Sequence, residues 1–323
     1  MQEYEDYIAL SRYSRFRDGL KRRETWPETV QRLIDWWKDR HPEHADWFED
    51  VAKPAITNKE VMPSMRSLMT AGKALDRDEV ALYNCAYLPV EDAKCFDEAM
   101  YILLCGCGVG YSVERQYVQK LPEVPEEMHP TDTVVVVPDS KIGWASSLRE
   151  IISLLYAGKI PQWDVSKIRP AGERLKTFGG RASGPEPLVD LFNFTVEIFK
   201  NAKGRKLSSI ECHDLMCKIG EIVVVGGVRR SAMISLSNLS DDRMRLAKSG
   251  QWWIDNAQRA LANNSACYTE KPEFQVFMNE WQSLYESKSG ERGIFNRKAT
   301  QKQAAKNGRR DTNYSFGCNP LAI

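Results

Sequence analysis

Polar residues dominate the first 75 positions, yet apolar ones recur there at helical spacing. Val30, Leu33, Ile34 and Trp37 form one stripe, which predicts an amphipathic helix lying on a core. Thr25-Trp26-Pro27-Glu28 just before it has the form of a capping box with Pro in the first turn. The stretch 44–60 is rich in Asp, Glu, Pro and Asn with little periodicity, and reads as loop with a short helix. From about residue 80 the texture changes. Ala81 to Val90 holds a short apolar stretch ending at Pro89, a strand signal, and Asp97 to Leu104 reads as a helix. That helix runs into Cys105-Gly106-Cys107-Gly108-Val109-Gly110, whose alternate glycines cannot cheaply continue it. Thr133 to Val137 is β-branched and bounded by Pro138, another strand signal. Leu148, Ile151, Ile152 and Leu155 make a helical stripe that stops at Gly158. Further helices are predicted over Pro187–Lys200 and about Ser209–Ile222, the latter breaking at Gly226-Gly227. Strand and helix signals alternate, so the expected class is α/β.

Composition narrows the function classes. The 323 residues carry 45 Lys and Arg against 44 Asp and Glu. This balance argues against a mainly electrostatic nucleic-acid binder, which needs a basic excess. Aromatics at 10% argue against disorder. No apolar run reaches the ~18 residues of a membrane span, and the acidic start Met1-Gln2-Glu3-Tyr4-Glu5-Asp6 lacks the parts of a signal peptide. The expectation is a cytoplasmic protein whose eight cysteines (85, 95, 105, 107, 212, 217, 267 and 318) are mostly reduced. Arg297 to Arg310 holds six basic residues and no acidic one; it reads as a solvated helix or linker, with a phosphate-facing role as the alternative.

Cys105-x-Cys107 and the Cys212-His213, Cys217 group are the candidate metal ligands. A structural zinc site needs about four ligands, usually from two paired clusters, so packing of small core residues is the preferred reading and no metal is expected. The glycine run 106–110 follows a helix rather than a strand and so misses the dinucleotide fingerprint. It leaves two readings open, a backbone that approaches a ligand closely or a tight packing corner. Gly179-Gly180-Arg181-Ala182-Ser183-Gly184-Pro185 is a second glycine-rich loop, placed before a helix start that could bind an anion. Gly226-Gly227-Val228-Arg229-Arg230-Ser231 is a third, with two planar cations suited to phosphate or base contacts. Three such loops suit a site for highly charged nucleotides.

An ordered series of motifs resembles the catalytic subunit of ribonucleotide reductase, nearest to its adenosylcobalamin-dependent (class II) triphosphate reductases. The series runs Arg22-Arg23-Glu24-Thr25-Trp26, Met62-Pro63-Ser64-Met65-Arg66-Ser67-Leu68-Met69 and Asn84-Cys85-Ala86-Tyr87. It continues with Gly108-Val109-Gly110-Tyr111-Ser112, the 176–185 and 226–232 loops, Gly293-Ile294-Phe295-Asn296-Arg297 and Gly317-Cys318-Asn319-Pro320. The resemblance implies a ten-stranded α/β barrel, incomplete here: an N-terminal helical region over 1–75, then the first part of the barrel over 76–323. It implies that Cys85 is one member of a redox-active cysteine pair and that Asn319 holds a ribose hydroxyl. Asn84, Gly108 and Ser64 then fall at substrate-contacting positions. Asp92 falls at the site of a dNTP or ATP effector, and Arg229 and Arg230 in the loop that relays effector identity, a coupling of ~1–3 kcal/mol. The implied cofactor is adenosylcobalamin, the implied reductant thioredoxin-like. The implied chemistry starts from a cysteine thiyl that takes hydrogen from the ribose 3′ carbon, after which the 2′ hydroxyl leaves as water.

The family motif continues Asn-Pro-Cys-x-Glu, whereas this sequence reads Asn319-Pro320-Leu321-Ala322-Ile323. Leu321 stands where the thiyl cysteine belongs and Ile323 where the acid/base carboxylate belongs; neither side chain can do that chemistry. The expectation is an N-terminal part that does not reduce ribonucleotides alone and needs a complementary C-terminal fragment. A fragment of a class I subunit served by a separate radical-generating protein, and a non-catalytic nucleotide-binding fragment, are the alternatives.

Overall fold

The computed structural model describes residues 2–173, 181–225, 232–308 and 310–320. They group into two compact units, Met1–Asn84 and Cys85–Ile323.

The first unit is helical apart from a short antiparallel pair, β1 (Phe16–Arg17) with β2 (Arg22–Arg23). Helix Trp26–Arg40 begins at the expected capping box. The Thr25 hydroxyl accepts from the Glu28 amide, and the Glu28 carboxylate accepts from the Thr25 amide. Two orphan donors are thereby satisfied. Val30, Leu33 and Ile34 are fully buried, and Trp37 packs partly beside them. Leu33 and Trp36 meet Leu68 and Leu75, while Val30 and Ile34 meet Phe48 and Ile56. Arg32 ties these parts together: it pairs with the buried Glu24 at 3.0 Å and donates to the Leu68 and Ala71 carbonyls at 2.9 and 3.0 Å.

The stretch 44–60 departs from its expected loop character. Helical turns run from Pro42 to Thr57, including a five-residue π segment Phe48–Ala52 and helix Lys53–Thr57. Phe48, Ala52 and Ile56 recur every fourth residue and are all buried. Burial of that face outweighs the helix-poor composition, an example of tertiary packing overriding propensity.

The second unit is built on β3 (Cys85–Pro89), β4 (Gly108–Ser112), β5 (His129–Val136), β6 (Lys159–Asp164), β7 (Met233–Asn238), β8 (Ala262–Tyr268) and β9 (Gly293–Asn296). Five of these form an all-parallel sheet in the order β3-β4-β7-β8-β9, and β5 and β6 form a separate parallel pair. The α/β expectation holds, and the described residues supply five strands of the main sheet where the resemblance implied ten for a whole barrel. Helices Cys95–Leu104, Lys141–Tyr156, Glu186–Asn201 and Ser209–Val225 supply the other half of the core. Phe96, Leu148, Phe192 and Leu215 pack there with Leu88, Val109 and Tyr111 from the strands. Each such side chain contributes about 1.5–3 kcal/mol by leaving water.

Cys212, His213 and Cys217 belong to this core. The Tyr111 hydroxyl lies 2.8 Å from His213 Nδ1 and 3.6 Å from Cys217 Sγ. Burial, with Arg259 and Lys248 nearby, pushes the His213 imidazole down to about 3, so it is neutral at physiological pH.

Candidate functional site

Strand register decides which residues face away from the helices. Cys85 pairs with Gly108, Tyr87 with Gly110, and Pro89 with Ser112; across β4, Gly110 pairs with Ile234 and Ser112 with Leu236. Residues two apart in a strand share a face. Cys85, Tyr87, Gly108, Gly110, Ile234 and Leu236 therefore line the face opposite Val109 and Tyr111.

The chain returns to this face at its far end. A Cβ on Gly110 would lie 1.8 Å from the Cys318 carbonyl oxygen and 3.0 Å from Asn319 Cα. A Cβ on Gly108 would lie 2.8 Å from Pro320 Cγ and 3.1 Å from Cys85 Sγ. A Cβ on Gly317 would fall 2.0 Å from the Tyr87 ring. Only glycine leaves room for another backbone to come this close. The returning segment passes Tyr87 and Gly110 before it reaches Gly108 and Cys85, so it runs against the strand direction. From Gly108 on, the glycine run is thus not a corner but a buried strand, whose absent side chains make space for residues 317–320.

Two contacts tether that segment. Arg297, the first residue of helix Arg297–Ala305, donates from Nε to the Phe316 carbonyl at 2.7 Å, and the Tyr117 and Ser315 hydroxyls share a hydrogen bond. The Arg297 fork also grips Glu114 at 2.9 and 2.5 Å. Glu114 accepts further bonds from the Ser112 hydroxyl at 2.7 Å and the Gln116 amide at 2.9 Å. The two charged side chains are 6% and 0% exposed. Burial pushes the Glu114 carboxyl up, but Arg297, Ser112 and Gln116 outweigh it and hold it below the usual carboxylate range. Cys318 packs with Ile234, Leu236 and Cys267. Burial pushes the Cys318 thiol up to about 11 and that of Cys267 up to about 12, so both stay protonated.

The structure brings three of the expected site residues together: Cys85, Gly108 and Asn319. Cys85 and Asn319 are half-buried and Gly108 is buried. The others stand apart in character. Ser64 is exposed and caps helix Met65–Thr70, accepting from the Arg66 amide at 3.2 Å. Asn84 is exposed and ends the first unit, directly before β3. Asp92 is exposed at the start of helix Cys95–Leu104, where its carboxylate accepts from the Lys94 amide at 2.7 Å. In the first turn of that helix, Arg149 grips the buried Asp97 at 2.9 and 2.5 Å. Burial, with Asp92 and Asp97 beside it, pushes the Glu98 carboxyl up. Arg229, Arg230, Gly179, Gly180, Leu321 and Ile323 lie outside the described residues. Arg297 corrects a further expectation: it opens the basic run read as solvated, yet it is buried on Glu114. Its position in the Gly293–Arg297 motif was the available signal. Among the described residues, no group of three or more His, Cys, Asp or Glu is arranged to hold a metal ion, and no helix is long and apolar enough to cross a membrane.

This arrangement has the fold of a class II ribonucleotide reductase. A crystal structure described as B-12 dependent (class II) ribonucleotide reductase superposes with a TM-score of 0.77, covering 90% of this chain and 48% of that one at 23% identity. Residues 112–199, which contain β5 and β6, match the family described as B12-dependent ribonucleotide reductase, insertion domain. The adenosylcobalamin-dependent ribonucleoside-triphosphate reductase of Levilactobacillus brevis is 26% identical over 88% of this chain and 47% of its own length. The enzyme of the same name from Euglena gracilis is 29% identical over 82% and 39%. The chain is a relative of the B12-dependent ribonucleotide reductases, as its motifs implied, and it spans about half or less of the length of the curated relatives it matches.

Proposed function

We propose that this chain is the N-terminal part of an adenosylcobalamin-dependent reductase that converts ribonucleotides to 2′-deoxyribonucleotides for DNA synthesis. The observation that carries the proposal is the convergence of Cys85, Gly108 and the Asn319-Pro320 turn on one glycine-lined sheet face. In this reading the Asn319 amide holds a ribose hydroxyl, and the Gly108 backbone lets the nucleotide approach closely. Cys85 and a partner cysteine give up two electrons and two protons as the 2′ hydroxyl leaves as water; they become a disulfide, which a thioredoxin-like dithiol reduces. Asn84 and Ser64 complete the substrate side. Asp92 and the arginines 229 and 230 serve the dNTP or ATP effector, and the setting is cytoplasmic.

The relatives' cofactor would supply the initiating radical. Among the described residues placed on this face, Cys85, Tyr87, Gly108, Gly110, Ile234, Leu236 and residues 317–320, there is no imidazole. The insertion-domain match favours this class over a class I subunit.

In this reading Leu321 and Ile323 stand at the positions of the thiyl cysteine and the acid/base glutamate, and neither side chain can supply those groups. The test supplies the purified chain with adenosylcobalamin, ribonucleoside triphosphates and a dithiol, with and without a polypeptide carrying the remaining reductase segment from its Cys-x-Glu onward. Deoxynucleotide formation only in the complemented mixture is expected. Turnover by the chain alone, or none in either mixture, overturns the proposal.

A further inference from the structure

Among the described residues of the second unit, Arg292–Glu280 and Arg297–Glu114 are buried pairs, and they hold different things. Arg292 donates to Glu280 at 2.7 Å and to the carbonyls of Asn238 and Leu239 at 2.9 and 3.0 Å, all within the body of the fold. Arg297 spends its fork on Glu114, from the end of β4, and its Nε on the Phe316 carbonyl at 2.7 Å. A guanidinium that meets a carboxylate in bidentate fashion is fixed in plane and direction. Its third N–H is then aimed, so the carbonyl it reaches is aimed too. Phe316 lies one residue before Gly317, which sits on the Tyr87 ring, and three before Asn319. Ser315, one residue earlier, is bonded to Tyr117.

We infer that the Glu114–Arg297 pair is a positioning clamp: it holds residues 315–320 at the depth that sets Asn319 over Gly110 and Pro320 over Gly108 beside Cys85. The inference rests on the proposed reductase reading for its purpose, but not for its test. A structural pair would stabilise the whole unit evenly; a clamp acts locally, on one returning segment. The pair joins residues 183 apart in sequence, so its loss frees that segment while the layer of helices behind the sheet keeps its own packing.

The experiment is native-state alkylation with iodoacetamide, read at each cysteine by peptide mass spectrometry. The proteins are the unaltered chain, Arg297→Met, Arg297→Lys, Tyr117→Phe and Arg292→Met. Arg297→Met is expected to speed alkylation of Cys318 by about tenfold or more, with Cys95, Cys212 and Cys217 still slow, because local opening exposes only what the segment covers. Arg297→Lys keeps the charge but loses the fork, and is expected to fall between. Arg292→Met is expected to speed all cysteines together or none. Should Arg297→Met not fold, Tyr117→Phe carries the test through the second tether, with a selective rise at Cys318 expected. A rise shared by every cysteine, or no selective rise at Cys318 in any folded Arg297 or Tyr117 variant, overturns the clamp. Alkylation reads no turnover, so a selective rise without complemented activity would retain the clamp and refute the reductase reading.

Discussion

Two strands of the parallel sheet, β4 inside it and β9 at its edge, both place glycine on the same face, and they use it differently. At β4, the space above Gly110 is filled by the backbone of Cys318, which cannot move aside without unseating residues 317–320. At β9, a Cβ on Gly293 would press on the Ser265 hydroxyl, 2.9 Å away and the rotatable end of a side chain, while the Asn264 carbonyl stays at an ordinary 3.9 Å. The face over β4 is covered by the chain itself. The β9 edge has one strand neighbour among the described residues and leaves Ile294 60% exposed; Phe274, Trp281 and Tyr285 of helix Phe274–Ser287 are exposed as well. A glycine therefore marks a functional approach only where backbone, not a pliable side chain, fills its shadow.

Breaking the buried charge at the β9 end gives the largest expected effect. Arg292→Met leaves Glu280 buried without its main partner and should cost about 3–5 kcal/mol in denaturant unfolding. At β4, Gly110→Ala should cost about 3 kcal/mol by overpacking against backbone and should release Cys318 to alkylation. Acid tests both regions together. Burial pushes the Glu280 carboxyl up, but Arg292 and Arg245 hold it below the usual range, as Arg297 holds Glu114. The stability each carboxylate lends is complete above its unfolded value, about pH 4.3, and is lost as pH falls through the depressed folded value. His213 adds an earlier phase. Its folded value near 3 lies below the ordinary 6.5, so the unfolded chain takes up a proton first and stability declines from pH 6.5 downward. In His213→Asn, a stability–pH curve should stay flat until the carboxylates begin to titrate. Gly293→Ala should cost under about 1 kcal/mol, since Ser265 can rotate. Trp281→Glu should change stability by no more than about 0.5 kcal/mol, while light scattering shows less self-association as the exposed apolar patch shrinks.

Much of this was legible in the chain. The capping box at Thr25, the helical stripes before Gly158 and the motif order from Arg22 to Pro320 each rest on local spacing, and local spacing survives folding. The stretch around Phe48, Ala52 and Ile56 was obscured because acidic residues and Pro54 crowd an apolar repeat of only three members. The Glu114–Arg297 pair was not legible, since an ion pair between residues far apart in sequence leaves no periodic trace. The glycine run announced close approach but not its occupant, which lies far along the chain and is met only through the β3–β4 register.

The central claim is that the Asn319-Pro320 turn lies over β4 beside Cys85. A Pro320→Cys variant places a second sulfur close to where Pro320 Cγ now sits, next to the Cys85 thiol. Mild oxidation followed by peptide mapping should find a disulfide between Cys85 and the introduced thiol as the dominant product, with the buried cysteines untouched. A folded variant in which Cys85 stays reduced, or pairs with a different cysteine, would contradict the account.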